Sequence, residues 1–440
     1  MKTTVKRIAA VVLAGFLFIG GCEFWKYILI NDSTSYTRIM MHQLYHPSAN
    51  IDVLFVGSSH AYRALIPEIM DRELGAYTFN GGSSKQYLDG SFALIKEADK
   101  GNDLKQVCVE LYYDIAETEP YAERTELTPT YILADYMPMS LNKIQYLTKA
   151  SANKHWINSF LIARRNWRYF FDSSYMKDTI LAKQTTQYRE FIYPVKEGDT
   201  EYYADRGFVA CDSDVSPEKH FNYKAYGQIP LEKKISKDSD WYRSLTDIVD
   251  YCQTHEIGIT FFISPEPEWT LAGKGNYQDY HDFISAAALE HQIEFYDFNL
   301  CRNEYFDTDD RSLFKDEQHL NTKGAEQFSD LFGKILSGRL SEKEVLYDSF
   351  PEKIAARDIP FYGISGPVST GDGKMLCEII TGSDHYEFQV MEIKDDGTQK
   401  ILLDFNEGTA FTMEDEERRS FKVICRDKES DQIMTETFRY

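Results

Sequence analysis

The stretch Ile51-Asp52-Val53-Leu54-Phe55-Val56-Gly57-Ser58-Ser59-His60 decides how the rest of the chain is read. A short apolar run, rich in β-branched and aromatic side chains, stops at Gly57, and two serines and a histidine follow at once. Such a run, closed by a glycine, reads as a buried strand. Leu65 to Leu74 then reads as a helix, with Pro67 near its first turn and Gly75 just past its end. Strand, tight turn carrying hydroxyls, helix: this order lifts a side-chain oxygen over the carboxyl edge of a sheet, where open α/β sheets bind their ligands.

A serine at such an edge becomes a nucleophile when a base is delivered to it. The segment Asp316-Glu317-Gln318-His319-Leu320-Asn321 supplies one, just ahead of a helix that Asn321 can cap. An aspartate three positions before a histidine can orient the imidazole, whose other nitrogen takes the serine proton. Alone, Gly-Ser-Ser is a turn and Asp-x-x-His is surface; one after the first strand and the other before the last helix of the same domain points to catalysis. Ser59 is then the nucleophile, His319 the base and Asp316 its partner.

Between these ends, strands and helices alternate, which predicts a parallel sheet. Tyr77–Phe79 is the second strand, ending in Asn80-Gly81-Gly82-Ser83-Ser84, whose glycines let backbone amides approach an oxyanion or simply make a turn. Tyr87–Asp99 has helical spacing, and Val107–Leu111 is the third strand. Glu110 within it is either an orienting carboxylate near the site or a structural partner of a basic side chain. From about 114 to 240 the alternation lapses. This insertion is read as a helical, aromatic cap, in which Arg164-Arg165-Asn166-Trp167-Arg168-Tyr169-Phe170-Phe171 is the densest basic-aromatic run and His220 a surface histidine. That run either grips an anionic or sugar polymer or answers neighbouring acids. The sheet resumes with Ile257–Ile263 and ends with Ile293–Phe298. Beyond it, period-two runs at Tyr386, Phe388, Val390 and at Phe421, Val423, Cys425, with an Asp396-Gly397 hairpin signal, predict a small antiparallel β-sandwich-like module over about 350–440.

Gly57-Ser58-Ser59-His60, Asn80-Gly81-Gly82-Ser83 and Asp316-Glu317-Gln318-His319 resemble blocks I, II and V of the SGNH (GDSL) hydrolase superfamily. The resemblance covers about residues 51–340. It is strongest to the membrane-anchored cell-envelope branch that includes the D-alanyl-lipoteichoic acid and alginate O-acetylation proteins. It implies a flavodoxin-like three-layer α/β/α domain, Ser59, His319 and Asp316 in the roles above, and backbone amides of Ser59 and Gly82 as the oxyanion hole. His60, Asn80 and Glu110 are the further pocket candidates, while Ser58 belongs to the turn. One departure stands out: no Asn follows the third strand, Val107–Tyr113. Losing one oxyanion donor costs roughly 10²–10³ in rate, which favours transfer over fast hydrolysis. The resemblance also implies a membrane-bound O-acyltransferase as partner.

The chain has 440 residues and a formal charge of −22, which disfavours nucleic acid as a partner. Lys2, Lys6 and Arg7 precede an uncharged run from Ile8 to Gly21 that continues in apolar and aromatic residues to Ile30. Residues 1–30 are therefore read as a signal anchor, or as a lipoprotein signal ending at Cys22, with 31–50 a connector and the body on the extracytoplasmic face. Seven cysteines without a Cys-x-x-Cys leave zinc unsupported, and no cofactor is implied; Cys377 and Cys425 are either paired or buried thiols. The expected function is a serine-dependent enzyme acting on acyl esters of a cell-envelope polysaccharide, by transfer or hydrolysis. The rival expectation is a catalytically inactive carbohydrate-binding protein on the same scaffold.

Overall fold

The computed structural model describes residues 2–113, 120–151, 156–215, 236–272, 277–357, 360–364, 368–394, 396–405, 408–414 and 420–439. His220 and part of the predicted insertion lie outside them. A five-stranded, wholly parallel sheet carries the first half of the architecture. Its strands are β1 (Val53–Val56), β2 (Thr78–Asn80), β3 (Gln106–Glu110), β4 (Gly258–Ile263) and β5 (Glu294–Asp297), in the spatial order 2-1-3-4-5. Register pairs Leu54 with Phe79 and Val107, and Val109 with Phe261.

Helices cover both faces, so both side-chain rows of the inner strand β1 are apolar. On one face Leu54, Val56, Val107, Val109, Phe261 and Ile263 pack with α5 (Leu88–Asp99), α6 (Asp240–Thr254) and α7 (Tyr277–His291). On the other, Phe55, Cys108 and Phe262 meet α4 (Pro67–Leu74) and α8 (Thr322–Leu336). Phe332 of α8 is the hub there, with ring centroids 4.9 Å from Phe262, 5.1 Å from Phe298 and 5.7 Å from Phe328.

The helix predicted over Leu65 to Leu74 is present as α4, and a further short helix comes before it. A short helix, α3, begins at Ser59 itself and ends at Ala64, and α4 starts at Pro67. The physical reason is the proline: Leu65 and Ile66 are extended, as residues ahead of proline tend to be. Neighbours satisfy the backbone groups freed at the break. Asn80 Nδ2 donates to Ala61 O and Leu65 O (both 2.9 Å), while Ser329 Oγ donates to Ala64 O (3.1 Å) and accepts from Ile66 N (2.9 Å).

Part of the described insertion packs against the first helix of the chain. Helix α1 (Lys2–Leu29) packs against its helices Ile162–Arg165 and Ser173–Lys183, and the Trp25 ring lies 4.5 Å from that of Phe170. Arg165 pairs with Asp135 and stacks on Tyr131, so this member of the basic-aromatic run is spent internally. Among the described residues the hairpin of Glu201–Tyr203 and Val209–Cys211 reaches the sheet edge, and Glu126 pairs with Lys85 just past β2. Its Gly207, at φ +90°, sits so close to Asn80 that a β-carbon there would collide with the Asn80 carbonyl. Among the described residues no helix is long and apolar enough to cross a membrane.

The C-terminal part is all-β after a helix at Phe350–Ala355. One antiparallel sheet is built around Lys374–Ile380, and a second runs Gln399–Leu403, Tyr386–Ile393, Ser420–Asp427, Ile433–Arg439. Gly397, at φ +80°, turns the predicted hairpin. Cys377 and Cys425 are buried free thiols, not a disulfide.

At the end of β1, a β-carbon on Gly57 would lie 2.5 Å from Glu110 Cβ and 2.7 Å from Glu110 Oε2. Gly57→Ala is therefore expected to lower stability by about 1–3 kcal/mol, read as a lower urea midpoint. An unchanged midpoint would show that β1 and β3 do not need this close approach.

Candidate active site

The site begins at the carboxyl end of β1. Chain order takes β1 to β2 on one side and then back to β3 on the other, so the switch point lies between β1 and β3, where doubly wound sheets bind ligands. Ser58 is fixed rather than reactive: its N–H and its Oγ both donate to Glu110 Oε2 at 2.9 Å, and its Oγ accepts from His60 N at 3.2 Å as the N-cap of α3. Ser59 follows as the first helical residue, so its N–H has no acceptor within the helix.

The loop ahead of α8 brings in the histidine. Leu313, Phe314 and Leu320 anchor it in the core, Lys315 N donates to His319 O (2.9 Å), and Asn321 Oδ1 caps α8 at Gly324 N (3.0 Å). Asp316 Oδ1 accepts from the backbone of Gln318 and His319 at 2.9 Å each, and the two carboxylate oxygens lie 2.9 and 3.0 Å from His319 Nδ1. His319 Nε2 lies 2.8 Å from Ser59 Oγ. The tautomer that satisfies all three groups has the proton on Nδ1, facing Asp316, and the Nε2 lone pair facing the serine hydroxyl.

The structure therefore brings Ser59, His319 and Asp316 together across 260 positions of chain. The other expected residues are distributed differently. His60 is buried, stacked on Tyr112 at 3.7 Å, with its ring 4.8 Å from that of His319. Tyr112, after β3, is a site neighbour that sequence reading did not single out. Asn80 does not line an open pocket: it is fully buried, and besides its two carbonyl partners its Oδ1 accepts from Gly82 N at 3.1 Å. That bond also corrects the expected oxyanion hole, because the Gly82 amide is engaged and an oxyanion must displace a neutral acceptor there. A charged acceptor makes the stronger bond. Glu110 serves the turn through Ser58. Beside Gly82 opens a cavity of about 200 Å³ lined by Tyr36, Tyr62, Ser83, Ser84 and Tyr203.

Three charged residues escaped the sequence reading. Glu201 of the hairpin contacts Arg63 of α3 (2.8 Å) and Lys315 (2.6 Å), the residue before Asp316. The usable signals were adjacency for Lys315 and one-turn spacing from Ser59 for Arg63; Glu201 carried none. Burial alone raises the Asp316 carboxyl, but the His319 side chain and two backbone N–H groups outweigh it and hold it at about 2. A carboxyl depressed in the folded state adds stability that is present above its unfolded value near 4 and lost as pH falls toward 2. The stability difference between wild type and Asp316→Asn is thus expected to be full at pH 6, shrink below pH 4 and vanish near pH 2, followed by urea unfolding. A pH-independent difference would contradict that ionisation.

No family model and no curated protein matches the chain. Among solved structures, it is similar to a double mutant of the Cellulomonas fimi endo-beta-1,4-mannanase, at 12% identity over 93% of this chain and 99% of that one, with a TM-score of 0.15. A second is the endo-beta-1,4-mannanase from Thermotoga petrophila, at 10% identity over 94% and 95% of the two chains, again with a TM-score of 0.15. At that score a likeness carries no argument about this chain.

Proposed function

We propose that this protein is a serine-dependent acyl-ester enzyme of the SGNH kind, transferring or removing a small acyl group on a cell-envelope polysaccharide. The observation that carries the reading is the run of contacts from Asp316 to His319 Nδ1 and from His319 Nε2 to Ser59 Oγ. The strand order 2-1-3-4-5 with helices on both faces supports the flavodoxin-like three-layer frame. An extracytoplasmic position, tethered at the membrane and served by a membrane-bound acyl donor enzyme, is proposed from the charge order at Lys2, Lys6 and Arg7.

In this reading Ser59 Oγ attacks the ester carbonyl while its proton passes to His319 Nε2. Asp316 keeps the imidazole in the tautomer that can accept, and stabilises the imidazolium that results. The Ser59 N–H faces the oxyanion. Collapse of the tetrahedral intermediate expels the alcohol, which takes its proton from His319 and leaves an acyl-Ser59. A sugar hydroxyl, or water, then reverses the steps: it gives its proton to His319, takes the acyl group and frees Ser59. The absence of an Asn after the third strand and the engaged Gly82 amide leave fewer donors for the oxyanion, which suits slow acyl exchange better than rapid hydrolysis.

A fluorophosphonate probe tests this directly on the full chain. Wild type and Ser58→Ala should label, and Ser59→Ala should not. His319→Ala should label at least about 10³ times more slowly, and Asp316→Asn roughly 10²–10⁴ times more slowly. A folded wild type that never labels supports the carbohydrate-binding alternative instead.

A further inference from the structure

The nucleophile and its base reach the sheet edge from opposite ends of the chain, and Glu201 joins them. Its Oε2 lies 2.6 Å from Lys315 Nζ and its Oε1 2.8 Å from Arg63 Nη2, while the Tyr36 hydroxyl donates to Oε1 at 3.0 Å. Lys315 directly precedes Asp316, and its Nζ is 3.9 Å from Asp316 Oδ2. Arg63 stands four residues after Ser59, one turn along the same face of α3, and is 5% exposed. Two cations and two carboxylates thus face one another, with Glu201 taking the shorter contact to Lys315 and leaving Asp316 to His319. Burial raises the Glu201 carboxyl, but its bonds to Lys315 and Arg63 bring it down to about 2, so it stays ionised over the working range.

We propose that Glu201 is a positioning residue for the Asp316–His319 pair: it draws Lys315 away from Asp316 and, through Arg63, ties that charge balance to the helix bearing Ser59. This rests on the serine-enzyme reading above for its catalytic meaning, though not for its electrostatics. The groups facing the His319 ring are Asp316 and Lys315 from its own loop, Ser59 and His60 from α3, and Tyr112 behind His60. Without the Glu201 charge, Lys315 is left with Asp316 as its contacting carboxylate, and a positive imidazolium is disfavoured. Without Lys315 the opposite holds.

Two readouts on the full-length protein separate this proposal from the reading it rests on. The first follows the His319 ring by NMR against pH in histidine-labelled protein, assigned by the signal lost in His319→Gln. The second is the pH profile of fluorophosphonate labelling. In Glu201→Gln the ring midpoint and the acid limb of labelling should both move down by roughly half a pH unit to one, and in Lys315→Met they should move up. The double variant should fall between them. Ring midpoints unchanged in both single variants, with wild-type melting curves, overturn the proposal. So do shifts of the same sign, or a Glu201→Gln protein that loses labelling only in proportion to lost folding. If the ring midpoints move as stated but wild type never labels, the charge relation stands and the enzymatic reading falls.

Discussion

One buried carboxylate holds the nucleophile turn in shape. Glu110, at the end of β3, accepts both the N–H and the hydroxyl of Ser58 on a single oxygen. It approaches so near to β1 that only a residue without a side chain fits at position 57. A polar group out of water is costly unless hydrogen-bonded, so the Glu110 side chain and the turn hold each other in place. The effect on Ser59 is indirect and large: with Ser58 committed as a cap, the next residue must enter the helix with its side chain at the sheet edge. The contact between Ser59 and His319 depends on that commitment, because the imidazole arrives on a loop that is itself rigid.

Much of this arrangement was legible in the sequence, and for definite reasons. The strand at Val53–Val56 announces itself because both of its faces are buried, so no polar residue interrupts it. Asp316 and His319 are close in sequence, and Asn321 marks the start of α8, so that half of the site is local chemistry written in one segment. Its meeting with Ser59 was inferred from where each lies relative to the strands, not from any pattern linking the two. Where the reading erred, tertiary contacts overrode local signals. Asn80 looked like a pocket residue, yet it is consumed by the backbone break that Pro67 imposes on a neighbouring helix. Glu201 was invisible because its role comes from three partners distant in sequence.

The division of labour within the insertion follows from the same logic. Aromatic and arginine-rich segments suggested a surface for a polymer, but those parts that meet α1 are occupied there. Among the described residues a short hairpin reaches the sheet edge, pinned at Gly207 against Asn80 and at Glu201 against the charged pair beside the site.

Helix α8 touches both halves of the site. Its first turn is capped by Asn321, two residues after His319, while Ser329 further along holds the carbonyl of Ala64 and the amide of Ile66 at the tail of α3. His319 and Ser59 are therefore mounted on a common beam. Thermal sliding of that beam over the sheet carries both ends in the same direction, so the gap between oxygen and nitrogen varies less than either atom's own position. The hydrogen bond between Ser59 and His319 is in this way shielded from the breathing of the protein around it.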